Sequence, residues 1–291
     1  MQKLGTILPQ KKDWELTSDV SEEEKVQFLI DCENRKQGEL HLIDGYDCPK
    51  CLNRGYTLKM ERRVFKAGDD PRPYDVQSDC DCMKIRDSIR RMKRSGLEPV
   101  LKRSTFDKYE TPEAWQQFIK DAAMQFANDA DSLEHKWFFI GGGVGSGKTH
   151  LCTAIAREFL LQGKEVRYML WVKQSREMKA AVNDESYGKT LAELQNVDVL
   201  YIDDFFKPMK DGFGNETKPT AADIRLAYEI INHRYQNHEL ITIISSERHI
   251  GDIEEIDSAV GSRIYEMTET HSYNIEKSKN RNYRLKSRKV I

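Results

Sequence analysis

The pattern of apolar and polar positions changes character near residue 100. Before that point apolar residues are scattered among charges. After it they gather into short continuous runs separated by segments of helical period. Trp137-Phe138-Phe139-Ile140 reads as a buried strand, and Thr149 to Leu161 as a helix closed by Gly163. On that helix Leu151, Ile155 and Phe159 fall at i, i+4 and i+8, a single stripe able to face a sheet. Val166 to Trp171, Val197 to Ile202 and Leu240 to Ser245 read as three further strands. Apolar strands alternating with helices predict the α/β class, a mainly parallel sheet covered by helices.

The N-terminal part predicts something smaller. Ser21 followed by Glu22, Glu23 and Glu24, ahead of Val26, Phe28, Leu29 and Ile30, has the form of a capped helix start. Residues 46 to 83 carry cysteines and turn-rich sequence such as Gly68-Asp69-Asp70-Pro71-Arg72-Pro73. A basic helix is expected from about Met83 to Ser95, ended by Gly96 and Pro99. The expected division is an N-terminal domain over 1–98, a linker over 99–108 and a second domain over 109–291.

At 291 residues with 38% hydrophobic content, the chain has apolar material for one good core and a small second one. A net charge of -2 argues against coating nucleic acid through bulk charge and leaves room for a local basic patch. The N-terminus lacks the apolar core of a signal peptide, and no run approaches the ~18 apolar residues of a membrane span. The expectation is a cytoplasmic protein with no membrane partner. In such a compartment the grouping of Cys48, Cys51, Cys80 and Cys82 points to metal rather than disulfides.

Gly142-Gly143-Val144-Gly145-Ser146-Gly147-Lys148-Thr149 fits the phosphate-loop pattern at every fixed position, between an apolar strand and a helix. The glycines let successive backbone N–H groups turn inward around phosphate oxygens. Lys148 supplies positive charge for the β- and γ-phosphates of ATP or ADP, and the Thr149 hydroxyl is suited to Mg²⁺. The helix that follows presents its positive end. A chance glycine-rich turn is the competing explanation, and the flanking strand and helix count against it. Cys152 in that helix reads as a small core residue.

Val197-Asp198-Val199-Leu200-Tyr201-Ile202-Asp203-Asp204 is an apolar strand ending in two carboxylates. Asp203 is suited to hold Mg²⁺, directly or through water, and Asp204 to polarise the attacking water. In isolation such an end is equally a solvated acidic turn; after a phosphate loop it points to ATP hydrolysis. Cys48-Pro49-Lys50-Cys51 and Cys80-Asp81-Cys82 supply four thiolates, enough to close a structural tetrahedral Zn²⁺ site with no open position. Cys32 and His41 are substitute ligands by type, read here as packed or surface residues.

With these motifs in place the chain resembles the DnaC/DnaI-like helicase loaders of the AAA+ ATPases, notably phage and prophage versions. Cys48 to Tyr56 with Cys80 to Arg86 looks like their zinc-binding N-terminal domain, and Ser104-Thr-Phe-Asp-Lys-Tyr109 like their linker. Gly145-Ser-Gly-Lys-Thr-His-Leu151 and Leu200-Tyr-Ile-Asp-Asp-Phe205 match their nucleotide motifs, which brings His150 into the nucleotide set. Gly261-Ser262-Arg263-Ile264 is similar to the arginine-finger segment, which implies that Arg263 reaches the nucleotide of a neighbouring subunit; without the resemblance it is a surface or capping arginine. Asn282-Tyr283-Arg284-Leu285 resembles the late arginine motif, which implies a phosphate sensor at Arg284, with Arg281 and Lys286 close by. Relatives often carry asparagine after the fourth strand, where this chain has Ile243-Ile244-Ser245-Ser246-Glu247-Arg248; Ser246 is the expected contact. Lys207 to Pro219 reads as a polar loop.

Lys84, Arg86, Arg90, Arg91, Lys93 and Arg94, with Lys102 and Arg103, form a basic run. It reads as a solvated helix face, a helicase contact or a contact for DNA phosphates. The resemblance implies an ATP-switched loader that binds a hexameric DnaB-type helicase, self-associates through its ATPase domain and acts on single-stranded DNA. The alternatives are an IstB-like transposition helper, which the zinc segment counts against, and a non-hydrolysing zinc adaptor, which Lys148, Asp203, Asp204 and Arg263 count against.

Overall fold

The computed structural model describes residues 20–65, 68, 70–94, 103–210, 212–276 and 282. The chain divides into two compact units, Met1–Arg86 and Asp87–Ile291. In the first, α1 (Glu22–Asn34) begins at Ser21, whose hydroxyl accepts from the Glu24 N–H while Glu24 reaches back to the Ser21 N–H. This reciprocal capping satisfies two backbone donors, and three acidic residues in the first turn suit the helix dipole. A short α2 (Leu40–Asp44) ends at Gly45.

The stretch read as turns contains a β-hairpin. β1 (Tyr56–Arg63) pairs antiparallel with β2 (Arg72–Asp79), Tyr56 opposite Asp79 and Arg63 opposite Arg72. A short alternation is present, Tyr56, Leu58 and Met60 on the first strand and Tyr74 and Val76 on the second, but no position of either strand is buried and the turn-rich residues between them dominate the reading. The hairpin explains the long gap between the cysteine pairs: its register closes the ends, and the Cys80 N–H donates to the Gly55 carbonyl at 2.8 Å. α3 (Cys82–Arg94) follows at once, at the position expected for the basic helix.

The second unit runs α4 (Ala114–Asp129), β3 (Trp137–Gly142), α5 (Lys148–Leu161), β4 (Val166–Leu170), α6 (Trp171–Ala180), α7 (Glu185–Asn196) and β5 (Val199–Asp203). A small pair β6 (Met209–Lys210) and β7 (Glu216–Thr217) precedes α8 (Ala221–Gln236), β8 (Ile241–Ser246), α9 (Ile250–Ile256), α10 (Ser258–Met267) and β9 (Ser272–Ile275). The main sheet has the order β4-β5-β8-β3-β9 with every neighbour parallel. Every residue of β3, β5 and β8 is buried, which is why these strands read as continuous apolar runs.

Side chains alternate between the faces. Phe138 meets Phe126 of α4, which also packs on Phe159 of α5. Trp137 and Phe139 join the opposite core with Leu226, Ile230 and Ile231 of α8 and Val260, Ile264 and Met267 of α10. The expected end of the second strand of this unit moves. β4 stops at Leu170 because Trp171 opens α6 and packs edge-on against Phe205 and Phe206. The edge strand β9 and the pair β6–β7 were not expected, being short and partly exposed.

Arg234 of α8 is wholly buried. Its guanidinium donates to the Leu194, Gln195 and Val197 carbonyls at the end of α7, to the Ile241 carbonyl, and to the Thr242 hydroxyl. A cation here satisfies carbonyls that the last turn of α7 leaves without helical partners. Arg234→Met is expected to cost about 3 kcal/mol or more, because several buried acceptors lose their donor together. Denaturant unfolding of the full chain, followed by tryptophan fluorescence, measures it; an unchanged midpoint refutes this account.

Candidate nucleotide site and cysteine cluster

The parallel order places the carboxyl ends of β3, β5 and β8 side by side, the edge where ligands bind in open α/β sheets. The loop from Gly142 to Gly147 leaves β3 there and enters α5. Two of its glycines are sterically required. A Cβ on Gly142 (φ +138°) would lie 2.3 Å from the Ile275 carbonyl oxygen, and one on Gly147 (φ +91°) 2.9 Å from the Tyr109 ring. Lys148 donates to the Gly142 and Gly143 carbonyls at 2.8 Å each, and the Ser146 hydroxyl to the Gly143 carbonyl at 2.9 Å. Burial lowers the proton affinity of Lys148, and the charges of Glu247, Asp204 and Asp203 oppose that shift. Val144 stands exposed in the loop.

Asp203 is where the elements meet. Its Oδ1 accepts from the Thr149 hydroxyl at 3.2 Å, from the Asp204 N–H at 3.1 Å and from the Ser245 hydroxyl; its Oδ2 accepts from the Tyr168 hydroxyl at 3.1 Å. Burial is the main cause that pushes the Tyr168 phenol up, and the Asp203 charge adds to it. The structure therefore brings together Lys148, Thr149, Asp203 and Asp204. It orients Ser246 differently. The Ser246 hydroxyl donates to the Phe205 carbonyl at 2.7 Å and accepts from the Arg248 N–H, so Ser245 is the serine at the carboxylate. Adjacent strand residues point to opposite faces, and the serine pair gave no sign of which faced the site.

His150 bonds the Thr105 carbonyl at 2.9 Å through its Nε2 and meets the Tyr109 ring edge-on. A cavity of about 230 Å³ opens beside the loop, lined by Lys108, Tyr109, Glu110, Gln116, Ser146, Gly147 and His150. Its position and aromatic wall suit a nucleotide base. Arg263 of α10 donates to Asn232 Oδ1 at 3.1 Å and the Ala259 carbonyl at 2.7 Å, and lies over the rings of Tyr228 and Tyr235. Arg284, with Arg281 and Lys286, lies outside the described residues, as does Lys102 of the basic run. Tyr168 and Lys207 were missed, while Ser245 and Glu247 were named only within the polar segment 243–248, from which Ser246 was chosen. Lys207 follows Asp204 by three residues; only the fold sets the others beside Asp203 and Asp204.

In the first unit the four cysteines are buried and their sulfur atoms all lie within 4.8 Å of one another. Cys48 and Cys80 are 3.9 Å apart and Cys51 and Cys82 3.5 Å, against edges of about 3.8 Å for a tetrahedron of Zn–S bonds. None is in a disulfide. The Gly55 N–H points at Cys51 Sγ at 3.3 Å, as N–H groups do around metal thiolates. The residues present fit a closed, structural zinc site. Among the described residues neither Cys32 nor His41 joins the cluster.

Arg86 requires a correction. Its side chain is wholly buried, donating to Asp44 Oδ1 at 2.6 Å and to Asn53 Oδ1 at 2.9 Å, and Asn53 Oδ1 also accepts the Cys48 N–H. It supports the cysteine cluster and is no part of a solvated or DNA-facing stripe. Arg90 pairs with Asp87 at the surface, and the side chains of Arg91 and Arg94 fall outside the described residues.

A strand-borne phosphate loop facing an acidic strand end, in a parallel sheet covered by helices, defines a P-loop nucleotide-binding domain. The sequence pattern of the family described as IstB-like ATP binding protein matches residues 80–290. The chain is 32% identical over 232 residues to the phage-like element PBSX protein XkdC of Bacillus subtilis (strain 168), covering 76% of this chain and 79% of that protein. It is 31% identical over 173 residues to the chromosomal replication initiator protein DnaA of Burkholderia multivorans, covering 58% of this chain and 30% of that one. A crystal structure of DnaI aligns with 61% of this chain and 92% of its own at 20% identity and a TM-score of 0.49. The DnaC helicase loader aligns with 60% and 96% at 19% identity and 0.47. The chain belongs to the family of IstB-like ATP binding proteins.

Among the described residues no helix is long and apolar enough to cross a membrane. For the cysteine cluster, elemental analysis of the purified protein is expected to find about one zinc per chain. The Cys48→Ser plus Cys80→Ser variant is expected to lose it, and unchanged zinc content in that variant rejects this ligand set.

Proposed function

We propose that the protein is an ATP-hydrolysing loader that binds a hexameric DnaB-type replicative helicase and helps place it on single-stranded DNA in the cytoplasm. The observation that carries this reading is the junction of Lys148, Thr149, Asp203 and Asp204 in a chain whose other unit is built on four cysteines. The family match supports the ATPase half, and the relative named as a replication initiator supports a replicative setting.

The working parts follow from the side chains. The Gly142–Gly147 backbone and Lys148 would bind the phosphates of ATP or ADP, with His150 and the Tyr109 cavity towards the base. Thr149 and Asp203 would hold Mg²⁺, which would supply positive charge against the phosphates. Asp204 would take the proton of the attacking water, and Ser245 and Tyr168 would keep Asp203 in one orientation. Arg263 would leave the Tyr228 and Tyr235 rings to neutralise charge on a neighbouring subunit's nucleotide, and Arg284 would sense phosphate. In this division residues 1–98 form the zinc-bearing helicase-binding domain, 99–108 a linker and 109–291 the self-associating ATPase.

The family's description favours a second reading, a transposition helper. That match starts at residue 80, so the segment with Cys48 and Cys51 lies outside it, and this extra unit favours the loader.

A pull-down of the helicase from the same genome, with and without ATP, is expected to give a nucleotide-dependent complex that Lys148→Ala weakens; no complex under any condition ends the loader reading. Arg263→Ala is expected to lower turnover of the assembled protein by on the order of a hundredfold or more while leaving ATP binding intact. Normal turnover in that variant refutes the role in trans.

A further inference from the structure

The segment after Asp204 is built as a rigid turn. Asp204 (φ +56°) and Phe206 (φ +46°) both occupy the left-handed region that side chains other than glycine rarely adopt. Surrounding contacts hold them there. The Phe205 and Phe206 rings stack at 4.2 Å and abut Trp171. The Phe205 N–H donates to the Ser245 carbonyl, Ser246 donates to the Phe205 carbonyl, and Arg248 Nε donates to the Phe206 carbonyl at 2.8 Å.

This turn sends Lys207 back over the site. Its ammonium lies 2.7 Å from Asp204 Oδ2 and 3.1 Å from Glu247 Oε1. Both carboxylates are largely sheltered, so the pairing is far less screened than a surface ion pair. Lys207 is therefore a second cation at the acidic side of the site, distinct from Lys148, and it occupies one oxygen of Asp204. It also begins the β6–β7 segment, whose Glu216 is tied to Arg248 at 2.7 Å. Both attachments of that segment thus reach the residues that border Asp204.

We propose that Lys207 is a positioning residue that restrains hydrolysis, holding Asp204 against Glu247 and turned away from the attacking water. This rests on the reading of Asp204 as the residue that receives the water's proton. While the ammonium is in place, one oxygen of Asp204 is occupied by a lysine that is itself anchored on Glu247. Withdrawal of Lys207, by movement at the root of the β6–β7 segment, frees Asp204 to turn towards the phosphate side.

The test is steady-state ATP hydrolysis by the full chain without partners, for wild type, Lys207→Ala, Lys207→Arg and Lys148→Ala, with affinity for a fluorescent ATP analogue measured in parallel. Lys207→Ala is expected to raise kcat at least about threefold, with KM and analogue affinity within about twofold of wild type, because the restraint acts on the chemical step alone. Lys207→Arg, which keeps the charge, is expected to stay near the wild-type rate. If wild type exceeds Lys148→Ala but Lys207→Ala is no faster than wild type, the restraint is refuted and the hydrolysis reading stands. If neither wild type nor Lys207→Ala exceeds Lys148→Ala, both fail; activity in Lys207→Ala alone supports both. Should Lys207→Ala not fold, Lys207→Gln, which keeps the stem and removes the charge, decides by the same criteria.

Discussion

The buried carboxylate of Asp203 is the constraint around which the second unit is arranged. A charge at the end of a fully buried strand is tolerated only if its oxygens are supplied with donors. Here the donors come from four places: Thr149 at the start of α5, Tyr168 on β4, Ser245 on β8 and the Asp204 N–H. The strand order β4-β5-β8-β3 is what brings them within reach, since β5 lies between β4 and β8. The same groups that make the carboxylate affordable to bury fix its orientation towards the phosphate loop. Stability and site geometry are one arrangement here.

That dependence explains what was legible in the sequence. The phosphate loop and the acidic strand end are local patterns, and each residue type in them has a local reason, so Lys148, Thr149, Asp203 and Asp204 could be found by spacing. The buried strands were equally visible because both of their faces are covered. What spacing cannot reveal is which of two adjacent residues faces a neighbour. Ser245 and Ser246 are chemically identical, and only the register of β8 assigns one to Asp203 and the other to Phe205. Tyr168 was invisible for the same reason, since its significance lies in the strand beside it.

Buried arginines show the opposite failure. Arg86 and Arg234 look like surface charge in sequence, and both are wholly buried. Arg234 answers main-chain carbonyls at the end of a helix; Arg86 answers Asp44 and Asn53. The two solutions differ in what they achieve. Around Arg234 the acceptors are neutral, and burial pulls the guanidinium pKa down to about 9, opposed by the charge of Asp198. The Asp44 pair is compensated, and a buried pair of this kind contributes more to a single geometry than to net stability.

That geometry is what the first unit needs. No residue of its strands β1 and β2 is buried, and its buried cluster consists of the four cysteines with Tyr46 against them. So little apolar surface cannot offset the conformational entropy of ordering the segment, and a four-thiolate metal site supplies the missing free energy in domains of this size. The hairpin register sets Gly55 against Cys80, Asn53 ties the Cys48 N–H to Arg86, and Arg86 ties both to Asp44. Each contact positions a sulfur rather than enlarging a core. The two units therefore rest on different physics: a hydrophobic sheet that orients carboxylates in one, and in the other a polar frame whose contacts converge on four thiols.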